Sequence, residues 1–199
     1  CNSVMRNTLS VTSDALNSPK LVISPGGKLV LEDISTSTGT LKAASPTYPV
    51  NFDIDGGSLE LIGGQMKDIN GGIHLDSGTM TVSNSAIIYG RANAPATEAT
   101  LLVNGGTLDW DDSTIQNANN IGIGMKVEQA MPTIDTIMVK NAAVGIESYN
   151  AAPEINGFTL TDNDVGLNVV GGMKLPTIYR STILSGQSTG WATYEVDLT

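Results

Sequence analysis

The stretch VKNAAVGI at positions 139–146 recurs 21 residues later as LTDNDVGL at positions 160–167. Each copy has an apolar residue, an Asn or Asp two places on, and a Gly-apolar pair six and seven places on. A third copy, MKDINGGI, occupies positions 66–73. A pattern that returns at an interval of this size is the signature of a repeat architecture, in which similar units stack on one another.

The first apolar residue of each copy serves as an anchor from which the other units can be aligned. The anchors are Met66, Ile87, Ile115, Val139, Leu160 and Ile183, after a degenerate first member near Thr36. Further apolar residues recur five and seven places before each anchor, and a third apolar set leads into them. Alternation at a spacing of two, interrupted by Gly-rich turns such as DGG at 55–57, predicts about three short strands per unit.

One unit of this size cannot bury its apolar residues alone, whereas stacked units bury them in a continuous interior. We therefore predict an all-β fold, a right-handed parallel β-helix of about seven coils with 21–24 residues in each regular coil. The right-handed sense follows from the unit length, because left-handed hexapeptide helices use units of about 18 residues. An antiparallel β-sandwich is the alternative, but it does not predict the same apolar, Asn and Gly positions in every unit.

The repeat sets the expected domain organisation. Residues 20–191 form the predicted parallel β-helix. Residues 1–19 lack the repeat and are expected to be an N-terminal cap or a linker. Residues 192–199 are expected to be a terminal strand that continues in a longer native chain.

Composition and charge restrict the function and the location. The net charge is −10, and this argues against a nucleic-acid partner, which would need basic patches. Cys1 is the single cysteine, so no intramolecular disulfide can form. An N-terminal cysteine suggests either the lipid anchor of a bacterial lipoprotein or a fragment boundary. No apolar stretch approaches the length of a transmembrane segment, and we expect an extracellular or cell-surface location.

The units of apolar-x-Asn/Asp-x-x-x-Gly-Ile resemble the pectate-lyase-type parallel β-helix repeats over roughly residues 20–191. The resemblance implies the architecture, and this fold hosts lyases, hydrolases, adhesins and inert scaffolds. If the chain were a polysaccharide-active enzyme, Asp109, Asp111, Asp112 and Glu60 would be its catalytic acids. The sequence lacks the Gly-His-Gly and Arg-x-Lys elements of such hydrolases, and no Arg/Lys pair beside an acid cluster indicates a lyase.

Two long units suggest where a partner would bind. Their extra residues are Ser37–Tyr48 and Gly90–Ala99. Both insertions should project from the same corner of the rod, at positions two coils apart. Insertions in repeat proteins often form the binding face. The candidate contacts are Tyr48, Arg91, Glu98, His74 and Asp53.

Two outward rows carry polar side chains. One is an Asn/Asp row, interpreted as structural, with Asp162 and Asp164 as weak candidates for a Ca²⁺ site and no other cofactor expected. The other row contains Glu60, Thr81, Asp109 and Glu154, and we interpret it as a solvated face.

Three functional hypotheses remain. The first is a non-enzymatic structural or adhesive segment of a secreted or cell-surface protein, with a polysaccharide or cell-surface partner and self-association through the helix ends. The second is a polysaccharide-active lyase or hydrolase, or its remnant. The third is a carbohydrate-binding module. The enzyme requires at least two acids to converge in an exposed groove with a basic or metal partner.

Overall fold

A computed structural model of the chain describes residues 2–5, 9–11, 20–32, 40–43, 51–67, 72–90, 95–117, 121–171, 176–179, 182–183 and 189–195. Every regular element in these residues is a β-strand, and all strand pairs are parallel. The fold is therefore the predicted parallel β-solenoid. Its right-handed sense stays a prediction, supported by the strong preference for right-handed connections between parallel strands of one sheet.

The strands belong to three faces of the rod, which the chain visits in the same order in every turn. In chain order the strands are β1 (Asn2–Met5), β2 (Leu9–Val11), β3 (Lys20–Ile23), β4 (Lys28–Glu32), β5 (Thr40–Ala43), β6 (Asn51–Ile62), β7 (Gln65–Lys67), β8 (Ile73–Ser83), β9 (Ile87–Tyr89), β10 (Ala99–Val103), β11 (Thr107–Trp110), β12 (Ser113–Gln116), β13 (Ile123–Glu128), β14 (Thr133–Ile134), β15 (Ile137–Lys140), β16 (Val144–Tyr149), β17 (Glu154–Ile155), β18 (Phe158–Thr161), β19 (Val165–Val170), β20 (Thr177–Ile178), β21 (Thr182–Ile183) and β22 (Thr189–Glu195).

We call these surfaces the first, second and third face. The first face contains β3, β10, β13, β16, β19 and β22, together with the first halves of β6 and β8. The second face contains β1, β4, β11, β14, β17 and β20, together with the second halves of β6 and β8. The third face is one sheet in the order β2-β5-β7-β9-β12-β15-β18-β21.

Equivalent apolar side chains stack on one another inside the coil, as the repeat predicted. The inward row of the first face is at most 3% exposed and consists of Phe52, Ile73, Leu101, Met125, Ile146 and Leu167. On the second face, Leu61, Val82 and Trp110 pair in register and are fully buried. The hydrophobic effect, at about 25 cal/mol per Å² of buried apolar surface, therefore holds each coil to the next.

The register corrects two of the predicted anchors. Met66 pairs with Ile88, which pairs with Ile115, so Ile88 and not Ile87 is the stacked residue. The corner before it contains two residues with positive φ, Asn84 and Ser85, and this extra residue shifts the register by one place. Gly90 therefore takes the position in the Asn/Asp row that the sequence pattern gave to Tyr89.

The first anchor also moves. Leu41 pairs with Met66, so Leu41, not a residue near Thr36, is the first anchor. Strand β5 consequently lies inside the predicted Ser37–Tyr48 insertion. The flanking residues 33–39 and 44–50, like 91–94 of the second insertion, lie outside the described residues.

About five turns carry the solenoid, compared with the predicted seven. Residues 51–164 hold these turns, and the strands before and after them extend the same sheets. Strands β1 and β2 lie within residues 1–19, where they pair with β4 and β5. At the other end, β22 pairs with β19.

The lower and upper parts of the rod join the first and second faces differently. In the lower part, β6 and β8 each run through both faces as one long strand with an irregular register at Asp55. In the upper part, β14, β17 and β20 form a separate three-stranded sheet. A proline precedes each of these strands (Pro132, Pro153 and Pro176), at the position that Leu29, Leu59, Met80 and Leu108 hold in the lower part.

Candidate functional site

The boundary between the lower and upper parts contains a cleft on the second face. Strand β11 pairs with β8 below it through four residue pairs. Above it, no ladder between β11 and β14 is present in the described residues, and a hydrogen bond from Asp135 N to Trp110 O (3.2 Å) joins the two coils. Pro132 has no N–H to donate to the coil below, which explains part of this break.

The larger lobe of the cleft is acidic. It has a volume of about 740 Å³. Its lining residues are Asp109, Asp111, Asp135, Thr136, Glu154, Asn156 and Tyr179. Asp111 and Asp135 are equivalent residues of consecutive coils, and Tyr179, half of whose surface is exposed, lies at the upper end. The lobe extends over four coils, or about 14 Å at the usual strand spacing.

A second, smaller lobe of about 320 Å³ adjoins the acidic lobe at the corner toward the third face. The two lobes share Thr136 and Asn156. The second lobe is lined by hydroxyl, apolar and backbone groups together with one carboxylate, from Asp112, Ser113, Thr114, Ile137, Met138, Gly157, Phe158 and Thr159. One cleft therefore offers a charged end and a largely neutral end.

A row of left-handed backbone residues shapes the corner under the cleft. Gly63, Ser85, Asp112 and Thr136 occupy equivalent corners of consecutive coils with φ of 79°, 58°, 40° and 47°. Thr136 is the exceptional member, because a β-branched residue at positive φ is strained. Such strain often occurs at functional sites, and here it lies at the junction of the two lobes.

The cleft contains three of the four acids proposed for an enzyme. Asp109 and Asp111 line the acidic lobe, and Asp112 lines the second lobe. Glu60 lies in the same outward row as Asp109, two strands lower, where it forms an ion pair with Lys28 (2.5 Å). Glu60 is therefore not part of the cleft.

Sequence reasoning missed Asp135, Thr136 and Asn156 as members of the site. Asp135 follows Asp111 by 24 residues, which is also the spacing between the anchors Ile115 and Val139. This shared offset is the signal that would have placed the two carboxylates in consecutive coils. Glu154 belongs to the outward row that the sequence predicted, but that row was interpreted as a solvated face and not as a binding site.

The carboxylates of the acidic lobe face solvent without a lysine in the described lining. Like charges in equivalent positions of adjacent strands repel one another. A ligand that donates hydrogen bonds, such as a polyol, an ammonium group or a hydrated cation, would offset this repulsion. The phenol ring of Tyr179 adds an aromatic face of the kind that packs against apolar or sugar surfaces.

The three predicted binding residues that the structure describes lie on the first face and its edge. Asp53 is 1% exposed, and its Oδ1 lies 3.4 Å from Nδ1 of the half-buried His74. The Glu98 carbonyl accepts a hydrogen bond from Ile123 N (2.9 Å) in the coil above. Tyr48 and Arg91 lie outside the described residues. The structure thus places Asp53 and His74 together.

Two asparagines at the corner of the predicted Asn/Asp row form structural hydrogen bonds, and Asn117 is the one that belongs to that row. Asn117 donates from Nδ2 to Ile121 O (2.9 Å), and its Oδ1 accepts a hydrogen bond from Thr100 (2.9 Å). Asn163, one place beyond the predicted row, accepts from Ala142 N (2.9 Å) and donates to Val139 O (3.0 Å). Both side chains bond buried backbone groups, which would otherwise be costly to leave unsatisfied.

The weak metal candidates Asp162 and Asp164 are exposed residues on either side of Asn163. Within the described residues, no group of three or more His, Cys, Asp or Glu side chains is arranged to hold a metal ion.

A polar cluster on the first face ties three upper coils together. Lys126 forms ion pairs with Glu128 (2.5 Å) and Glu147 (3.4 Å), and Asn168 donates to Glu147 (3.0 Å). Burial alone would lower the pKa of Lys126, but the hydrogen bonds and charges of the two glutamates outweigh it and raise that pKa above 10.5. The Tyr149 ring lies 5.0 Å from the same ammonium group. The cluster therefore contributes to coil stacking.

In the described residues, no helix has the length and apolar character needed to cross a membrane. Comparisons with known proteins gave no match: no protein-family model, no curated protein and no solved structure is significantly similar to this chain.

Proposed function

We propose that the chain is a non-enzymatic structural and adhesive segment of a secreted or cell-surface protein, whose rod presents the cleft to a partner. The observation that carries this proposal is the position of the cleft on a stacked core. Asp109, Asp111 and Asp135 project from coils whose inward neighbours, Leu108, Trp110 and Ile134, are at most 3% exposed. Side chains mounted on such packed strands hold a fixed spacing, which favours recognition of an extended, repeating ligand.

A polysaccharide or a glycosylated surface is the partner that this lining favours. Carboxylate and amide groups such as Asp135 and Asn156 bond sugar hydroxyls, and Tyr179 offers a ring against which a sugar can pack. Ca²⁺ prefers oxygen ligands, but the described carboxylates of the cleft are not arranged to hold a metal ion by themselves, so an acidic sugar would have to supply further ligands for a bridging ion. The pectate-lyase-type repeat pattern supports the architecture of this proposal and not an activity.

The alternative is a polysaccharide-active enzyme or its remnant. The convergence of Asp109, Asp111, Asp135 and Glu154 in one groove favours it, because glycoside hydrolysis uses a pair of carboxyl groups on either side of the scissile bond. An enzyme requires at least two acids in one exposed groove, and the acidic lobe is consistent with this first requirement. The second requirement is a basic or metal partner, and the described lining of the acidic lobe contains no lysine or arginine.

The test measures binding and turnover on the same samples. The chain is applied to an array of neutral, acidic and amino polysaccharides with and without added Ca²⁺, and each ligand that binds is then incubated with the protein while new reducing ends and unsaturated products are measured. We expect binding that the double variant Asp111→Asn/Asp135→Asn weakens about tenfold, without product formation.

The matched control is Asp162→Asn/Asp164→Asn, which removes two exposed charges at another corner. Product formation that Asp109→Asn or Asp111→Asn abolishes would establish the enzyme in place of the adhesive segment. Binding that both double variants leave unchanged would reject the cleft as the contact site. Fluorescence of the buried Trp110 verifies that each variant is folded.

A further inference from the structure

The charges of this protein are sorted by face. The chain has 20 acidic and 10 basic residues, yet the described strands of the third face contain no Asp or Glu. Three of the lysines, Lys42, Lys67 and Lys140, belong to that face. The described strands of the second face have the opposite character, with Glu32, Glu60, Asp109 and Glu154 and a single lysine, Lys28, which pairs with Glu60. A strongly acidic molecule therefore has one face on which its strands carry only basic charges.

The outward side of the third face carries lysine, aromatic and uncharged side chains. One of its rows contains Lys67, Tyr89, Gln116, Lys140 and Thr161. Lys67 lies 4.8 Å above the Tyr89 ring, and within the described residues neither Lys67 nor Lys140 forms an ion pair. The neighbouring row presents Ile87 and Met138, the latter 37% exposed. This face therefore combines exposed apolar area with basic charge that no acid of its own described strands neutralises.

We propose that this lysine face docks against the acidic second face of another copy of the same chain, side by side. The strands of the two faces carry opposite charges, and the same repeat spaces both sets of charges. Both faces belong to the same coils, so their charges recur at multiples of the same strand spacing of about 4.8 Å. Two parallel rods therefore keep every coil of one level with a coil of the other.

The charged rows of the two faces overlap without an axial shift. Lys67 and Lys140 are separated by three steps in the order β7-β9-β12-β15, or about 14 Å. On the acidic face, Glu60 is two register steps below Asp109, and Asp135 is one coil above it. Glu154 shares the row of Glu60 and Asp109, two steps above Asp109. With the coils level, Lys140 of one copy therefore faces the acidic row of the next between Asp109 and Glu154, about 5 Å from each along the rod. Lys67 is level with Glu60, which Lys28 of its own chain already pairs. Because the two surfaces differ, the contact is heterologous and builds rings or lateral arrays rather than an isolated symmetric dimer.

Sedimentation velocity over a range of protein concentrations tests this contact, with reductant present so that Cys1 cannot form an intermolecular disulfide. We expect the wild-type chain to self-associate more strongly as salt falls from about 0.5 M to about 0.02 M, because screening weakens opposite-charge contacts. Each copy carries a net charge of −10, so general repulsion alone would produce the reverse dependence on salt. Wild-type chain that stays monomeric at low salt, or associates only at high salt, overturns the proposal.

Variants distinguish the two faces. Lys67→Glu/Lys140→Glu and Asp109→Lys/Glu154→Lys should each lose self-association by about tenfold or more, and mixing the two variants should restore it. Two further double variants each lower the net charge by two. Lys67→Gln/Lys140→Gln does so on the third face, and the control Gln129→Glu/Asn150→Asp does so at exposed corners next to the first face. Equal association of these control variants, or no recovery on mixing, rejects the docking of these faces.

Discussion

The lower and upper parts of the rod build the same three faces from different local chemistry. In the lower part, glycines let β6 and β8 pass from the first face to the second without breaking the sheet. In the upper part, Pro132, Pro153 and Pro176 interrupt it, and the second face becomes a sheet of its own. The core rows continue through both parts. The comparison teaches that stacked apolar residues maintain the coil, whereas turn chemistry decides where the surface opens, because the cleft forms where the two arrangements meet.

The largest expected effect comes from the glycine side of this comparison. A Cβ at Gly78, whose φ is 91°, would overlap the carbonyl oxygen of Gly57 in the coil below. Gly78→Ala should therefore lower the free energy of unfolding by about 3 kcal/mol or more, from backbone strain and steric overlap together. Urea unfolding followed by circular dichroism measures the change.

Two variants provide controls for Gly78→Ala. Gly26 also has positive φ (78°), but a Cβ there meets nothing within 4 Å, so Gly26→Ala should cost only about 1–2 kcal/mol. On the proline side, Pro153→Ala should cost about 1 kcal/mol through the added freedom of the unfolded chain. Equal losses at all three positions would show that glycine and proline do not divide the rod as described.

The next effect concerns a buried asparagine of the upper part. Asn163 is fully buried and bonds Ala142 N and Val139 O, so Asn163→Ala leaves two backbone groups unsatisfied. We expect a loss of about 2 kcal/mol, measured by thermal and urea unfolding. Thr159→Ala, at a half-buried outward position of the same coil, should change stability by less than about 0.5 kcal/mol. A loss at Asn163 no larger than at Thr159 would contradict this structural role.

At the boundary between the two parts, one substitution should increase stability. Thr136 has φ of 47°, a conformation that asparagine tolerates better than a β-branched residue, so Thr136→Asn should stabilise the chain by about 1 kcal/mol. Thr133→Asn, on the neighbouring strand without positive φ, should be neutral or slightly destabilising. If Thr136→Asn also reduces ligand or partner binding, the strain belongs to the function of the cleft. Destabilisation would mean that contacts of the Thr136 side chain outweigh the backbone strain.

The smallest effect is electrostatic and depends on pH. The folded chain raises the pKa of Lys126, so the stability that this residue contributes is present below the unfolded pKa of about 10.5. That contribution is lost as the pH rises through the higher folded value. Lys126→Met should therefore cost about 1 kcal/mol at pH 7.

The wild-type chain and the Lys126→Met variant should converge in stability above pH 10.5. Parallel urea titrations at neutral and alkaline pH measure the difference, and comparing the two proteins cancels the titration of other groups. A difference that persists unchanged at the alkaline end would contradict the ion-pair origin of the effect.

The core and the three faces could be predicted because burial imposes the same residue type at the same place in every coil. Ile115, Val139 and Leu160 are spaced by the repeat itself and pair in the predicted register. Ile87 was chosen wrongly over Ile88 because both residues are apolar and the extra corner residue carries no hydrophobic signal. The cleft could not be predicted as a whole, because it depends on the separation of β11 from β14, which a hydrogen-bonding detail decides.

Every described strand of this protein pairs with a strand nearby in the sequence, and this has a consequence for how the chain folds. The pairs Leu101–Met125 and Ile146–Leu167 are separated by 24 and 21 residues, or about 0.12 and 0.11 of the chain length. Contacts at such separations lie at the lower edge of the range for mixed α/β domains and well below that of β-sandwiches. Each new coil needs only the coil before it as a template, so folding can proceed step by step while the chain is being synthesised.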